Sequence, residues 1–192
     1  MTTQEKFWYL IGPVMLSFSF AATYPVIQVY FINLIGPEIL AISNILGTSL
    51  SIIVNWTIPK KNMKSWYRKH FLLIVISDVI LTCLFTFFGY QYPAIRFLGF
   101  SFLNAVSTCL WVMIMRNVVN RIITDGDQRT DFDALVQYVT LSGSLVGAIT
   151  ALIFSDIPVE YCLFFQCISN AIFGSTDIYI FRRLNKTYNL EL

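Results

Sequence analysis

One carboxylate stands out by position: Asp78 lies several residues inside the apolar run 71–89. A carboxylate in hydrocarbon is costly enough to count as a functional group by default, and the chemistry it offers is reversible protonation coupled to solute movement. A second acid, Asp177, lies near the end of the last apolar run, where Arg116, Arg182 and Arg183 are natural ion-pair partners. Uncharged polar residues supply the other ingredient. Gln28, Asn104 and Gln166 fall nearest the middle of their apolar runs and are candidates for hydrogen-bonding a solute. Tyr24, Trp111 and Tyr138 are candidate aromatic walls for an amphipathic organic molecule, and Asn44, Asn55, Gln137 and Asn170 are further amides at intramembrane positions. The structural alternative for any one of these polar residues is a hydrogen bond to a neighbouring helix, worth about 0.6 kcal/mol.

Other chemistry has little to work with. The cysteines Cys83, Cys109, Cys162 and Cys167 all lie in apolar runs without CxxC spacing, so neither a metal site nor a disulfide framework is expected. The single histidine, His70, sits in a basic stretch, and there is no phosphate-cradling glycine loop, catalytic acid pair or nucleophile motif. No intrinsic enzyme activity and no cofactor are expected.

The elements that carry these residues follow from composition. The chain is 56% hydrophobic and 12% charged, with a mean hydropathy of +0.66. A soluble domain of this size needs roughly twice that charge to coat its surface, so the apolar excess must face lipid. Six runs have membrane-spanning length: 8–32, 39–58, 71–89, 97–115, 134–154 and 161–181. A backbone in lipid must satisfy its own hydrogen bonds, and the runs lack the alternation of barrel strands, so the expected fold is all-α with six transmembrane helices. Pro13 and Pro25 are expected to kink the first of them. That first run is too long, and the opening MTTQEK too weakly basic, for a cleaved signal peptide.

Basic residues set the orientation. Lys60, Lys61, Lys64, Arg68 and Lys69 separate runs two and three; Arg116, Arg121 and Arg129 separate four and five; Arg182, Arg183 and Lys186 follow six. With Lys6 this puts twelve of the thirteen Lys and Arg on one side, leaving Arg96 opposite. The positive-inside rule then places both termini in the cytoplasm. The Lys60–Lys69 cluster suits anionic lipid headgroups, and nothing outside these segments is basic enough to bind nucleic acid.

The stretch 116–133 packs seven charges into an otherwise apolar chain. It reads as a connection between runs four and five, with Thr130 and Asp133 at capping-box spacing for the fifth helix. Asp131 and Asp133 would then sit at a positive helix N-terminus, and the preceding arginines at a negative C-terminus.

That stretch, "RNVVNRIITDGDQRTDFDAL" followed by "LSGSLVGAITALIF", resembles the region joining helices four and five of the major facilitator superfamily. "RFLGFSFLNA", from Arg96, is similar to the superfamily's fourth-helix motif, and Gly143 and Gly147 to its glycine-spaced fifth-helix motif, with Ala148 where that motif has proline. The segment "VNWTIPKKNMKSWYRKHF" keeps the bases of the loop between helices two and three but lacks its aspartate and glycine. The resemblance implies gating or structural roles for Arg96, Arg116, Arg129 and Asp177. It also implies one six-helix half of a fold whose full members carry two parallel halves. Two copies with the same orientation can associate about an axis along the membrane normal, with Gly47, Gly143 and Gly147 as candidate close-contact positions within or between chains.

The expected function is transport of a small organic solute across a bacterial cytoplasmic membrane by a proton-coupled homodimer. Two alternatives remain open: a substrate-binding subunit of a larger transporter, and a non-transporting membrane partner such as an assembly or immunity factor.

Overall fold

A computed structural model describes residues 1–57, 64–154 and 156–190, and their side chains except at 55, 64–70, 89, 90, 97, 100, 104, 107, 108 and 154. The protein is all-helical, with no strand among the described residues. Its elements are α1 (Thr3–Ile35), α2 (Pro37–Thr57), α3 (Lys64–Gln91), α4 (Pro93–Ile122), α5 (Gly126–Phe154) and α6 (Val159–Tyr188). Each apolar run is carried by one helix, with residue 58 of the second run outside the described residues. Among the described residues four segments are long and apolar enough to cross a membrane, Thr3–Ile35, Pro37–Val54, Phe71–Phe88 and Gly126–Ile153, so the expected spans 97–115 and 161–181 are not among them. These are compatible with an integral membrane protein.

The helices overrun the apolar runs because a helix has no reason to stop where hydrocarbon stops. The stretch expected as a charged loop is the clearest case. α4 continues through Arg116 and Arg121 to Ile122, and α5 starts at Gly126, so only residues 123–125 are left as connection. The expected capping box at Thr130 and Asp133 is therefore corrected. Asp125 is the cap, its Oδ1 accepting the backbone N–H groups of Asp127 at 2.9 Å and Gln128 at 3.3 Å. Thr130 lies inside the helix and donates its hydroxyl to the Gly126 carbonyl at 2.9 Å. A capping box does exist, at α1: Thr2 N–H donates to Glu5 Oε2 at 2.8 Å while Glu5 N–H donates to Thr2 Oγ1 at 3.3 Å.

Tight connections use residues suited to them. Gly36 alone joins α1 to α2, at φ +80°, a backbone conformation that disfavours a side chain, and Pro37 opens α2 where a missing N–H costs nothing. Pro93 opens α4 in the same way. α1 runs unbroken as a helix through Pro13 and Pro25.

The chain forms two compact units, with boundaries inside α1 after Gln28 and inside α4 after Met115. The first unit comprises residues 1–28 and 116–190. There α1 contacts both α5 and α6. Gly143 and Gly147 bring α5 onto the α1 backbone: a Cβ at Gly143 would lie 3.0 Å from the Val14 carbonyl oxygen, and one at Gly147 would collide with the Phe18 carbonyl. Glycine is required here for close approach. The second unit, the described residues of 29–115, joins α2 to α4 through a Ser43–Ser101 hydroxyl contact and a Cys109 Sγ to Ser51 carbonyl contact of 3.8 Å. A Cβ on Gly47 would lie 3.4 Å from Ser101 Cβ, in ordinary contact. All three glycines proposed for close helix contact are thus used within the chain.

Candidate functional site

The site candidate is built on α6, the helix with the most polar apolar run. At 100° per residue, Cys162, Gln166, Ser169, Asn170, Phe173 and Asp177 fall in an arc of about 100°. Gln166, Ser169, Asn170 and Asp177 are all buried, at 6%, 1%, 7% and 2% exposure. A polar helix face placed inward in a chain with an apolar exterior has reversed the arrangement of a soluble helix.

α1 supplies the facing surface. Glu5, Trp8, Gly12, Ser19 and Thr23 lie on one narrow face of that helix. A Cβ on Gly12 would sit 2.9 Å from Thr176 Oγ1, 3.0 Å from the Phe173 ring and 3.6 Å from Asp177 Oδ1. Trp8 meets Tyr179 edge-on at 5.3 Å, and Phe18 meets Phe165 at 6.2 Å. As α1 numbers rise, the contacted α6 numbers fall, so the helices are antiparallel and Ser19 comes level with the stretch 164–169. Gly12 is what lets the two faces close.

Hydroxyl hydrogen bonding distinguishes this seam. In membrane helices a Ser or Thr commonly donates to the carbonyl one turn back. Thr23, Ser142, Thr150 and Thr176 do so, at 2.7, 2.9, 2.7 and 3.0 Å. Ser19 and Ser169 do not: their Oγ atoms, with Gln166 Nε2, are buried without a hydrogen-bond partner among the described residues. Leaving such groups unsatisfied costs about 1–3 kcal/mol each, so their placement needs a reason.

Nearer the chain termini the same two helices are tied together. Tyr188 donates its hydroxyl to Glu5 Oε2 at 2.9 Å, the carboxylate that also closes the α1 capping box. Arg183 donates to Gln4 Oε1 at 2.8 Å and to the Tyr179 hydroxyl at 3.0 Å, and Arg121 donates to the Leu190 carbonyl at 3.2 Å. Burial, followed by the bond to Glu5, pushes the Tyr188 phenol above its ordinary pKa. Between this tie and the polar seam lies Tyr9, buried edge-on against Phe132 at 5.3 Å and within electrostatic reach of Asp177, Asp133 and Arg116.

The residues singled out by sequence are divided between the two units. Gln166 and Asp177 share the buried face of α6, and Asp177 and Arg116 both act on Tyr9. Gln28, half-buried, ends the first unit's part of α1. Tyr138, at 71% exposure, and Arg129 lie on the chain's exterior. Asp78 and Trp111, both half-buried, belong to the second unit. So does Arg96, which is buried at 3% exposure with its guanidinium 4.8 Å over the Phe31 ring. Asn104 belongs to α4, but its side chain lies outside the described residues, as do Lys60, Lys61 and the side chains of Lys64, Arg68, Lys69 and His70.

Sequence reading missed Ser19, Ser169, Tyr9 and the Glu5–Tyr188 bond. The signal for the serines was helical spacing: Ser19 is seven residues from Gly12, and Ser169 is three from Gln166. No protein-family model, curated protein or solved structure matches the chain.

Proposed function

We propose that this chain is a half-size membrane transporter of the major facilitator type. In this reading it resides in a bacterial cytoplasmic membrane with both termini inside, and carries a small organic solute as a proton-coupled homodimer. The observation that supports the reading is the inward-facing polar surface of α6: buried Gln166, Ser169 and Asn170 beneath an exterior of large apolar side chains. Such a surface stabilises a bundle less than apolar packing does, and a solute path is a function that requires it.

Asp78, in the first half of the apolar segment Phe71–Phe88, is the proposed proton carrier. Gly47, Gly143 and Gly147 are committed to contacts inside the chain, so the dimer in this proposal uses the outer apolar faces. The test is solute-driven proton movement in proteoliposomes loaded with a pH-sensitive dye and screened against a library of organic solutes. The reading expects at least one solute to move protons with the wild type, and Asp78→Asn to abolish that movement while leaving the folded yield intact. Equal proton movement by Asp78→Asn sinks the coupling role, and no movement with any solute favours the non-transporting partner.

A further inference from the structure

We infer that Ser19, Gln166, Ser169 and Asn170 form a binding site, between α1 and α6, for a small uncharged solute that presents a hydrogen-bond-accepting oxygen. The inference rests on the transport reading and specifies its substrate class. Two independent observations carry it. The first is register: Gly12 against Phe173 and Thr176, and Phe18 against Phe165, bring Ser19 level with the stretch 164–169 of α6, which carries Gln166 and Ser169, on the facing surfaces of two antiparallel helices. The second is satisfaction: Ser19 Oγ, Gln166 Nε2 and Ser169 Oγ lack partners among the described residues although their residues are 1%, 6% and 1% exposed. Elsewhere in the chain Thr23, Thr150 and Thr176 turn their hydroxyls back onto their own helix, which these two serines do not.

The chemistry of the ligand follows from the groups. An amide N–H₂ donates only, and a serine hydroxyl donates or accepts, so the complementary ligand atom is an acceptor oxygen. Charge is excluded by the surroundings. Asp177 is the one acid on this face of α6, and it stands seven residues from Asn170, about 10 Å along the helix. An ion of either sign at the serines would be buried without a counter-charge, which is prohibitively costly. Size is limited by the closure at Gly12 and by the burial of all four side chains. A primary amide or a short alcohol meets the chemical conditions, and because Ser19 Oγ, Gln166 Nε2 and Ser169 Oγ are buried the probe must be small, as acetamide is.

The experiment is thermal unfolding of the full chain in lipid nanodiscs across an acetamide titration, for wild type, Gln166→Leu, Ser169→Ala and Ser19→Ala. The site predicts a saturable rise in the wild-type midpoint. It also predicts about a tenfold loss of apparent affinity for each serine variant and no saturable rise for Gln166→Leu. No saturable rise in the wild type, or an equal rise in all four proteins, overturns the site. A Gln166→Leu midpoint above wild type without acetamide also overturns it, because relief of an unsatisfied amide marks the face as packing alone. Failure here alongside Asp78-dependent proton movement removes this site and keeps the transporter; binding without proton movement does the reverse.

Discussion

α2 and α6 differ in the way a membrane demands. α2 is apolar along its length, yet Ser43 is its one buried residue among those described, while Ile45, Ile52 and Trp56 stand 65%, 65% and 73% exposed. α6 interrupts its apolar run with Gln166, Asn170 and Asp177, and buries all three along with Ile180, Phe181 and Leu184. Hydropathy and burial are therefore uncoupled. Lipid solvates leucine as well as a protein core does, so what sends a helix inward is side-chain packing and the need of polar groups for company. α6 carries its amides and its acid inward together with apolar side chains.

Several substitutions break or sharpen that contrast, and the largest effect is expected at the glycine that fixes α1 in the same unit as α6. Gly147→Val forces branched carbon into the Phe18 carbonyl and toward Ala21 Cβ, 2.9 Å from where the first added carbon would lie. A cost of about 3 kcal/mol is expected, read as a collapse of folded yield or midpoint in nanodiscs. Next comes one truncation made on each helix. Ile180→Ala empties a site with 0% exposure, and an unrelaxed void of roughly 100 Å³ costs about 2 kcal/mol. Ile45→Ala removes the same atoms from a 65% exposed position and should stay within about 0.5 kcal/mol. Equal effects of the two truncations would end the comparison.

Smaller effects belong to the termini. Tyr188→Phe deletes the hydroxyl bonded to Glu5 and should cost about 1 kcal/mol at neutral pH. The sign of its pH dependence follows from the raised phenol pKa. The contribution is fully present below the ordinary value of 10.0 and is lost as pH rises through the higher folded value. Wild type and Tyr188→Phe should therefore converge in alkaline denaturation above about pH 10; a constant gap would show that the hydroxyl's contribution is not linked to its ionisation. Least of all, Gly126→Ala adds a methyl with nothing within 4 Å and should fall within about 0.5 kcal/mol of wild type.

Much of the helical order was legible in the sequence, because unbroken apolar runs such as 71–89 leave a backbone no other way to satisfy itself in lipid. Helix ends were not legible from the same signal. Arg121 and Asp127 mark where the apolar runs have given way to charge, whereas Asp125 marks where the helix starts, and only its cap bonds distinguish the two. The candidate site was half legible. Gln166 and Asp177 announce themselves by being polar in an apolar run, but Ser19 and Ser169 look like any serine that bonds its own helix. Their difference from Thr150 is set by the neighbouring helix, which Gly12 admits and no local pattern reveals.

The most direct measurement is native mass spectrometry of the protein released from lipid nanodiscs. The chain has a mass of 22.0 kDa, and the proposed two-fold transporter predicts a dominant species at twice that value. A dominant species at the mass of a single chain, under conditions where the helices remain folded, would contradict it.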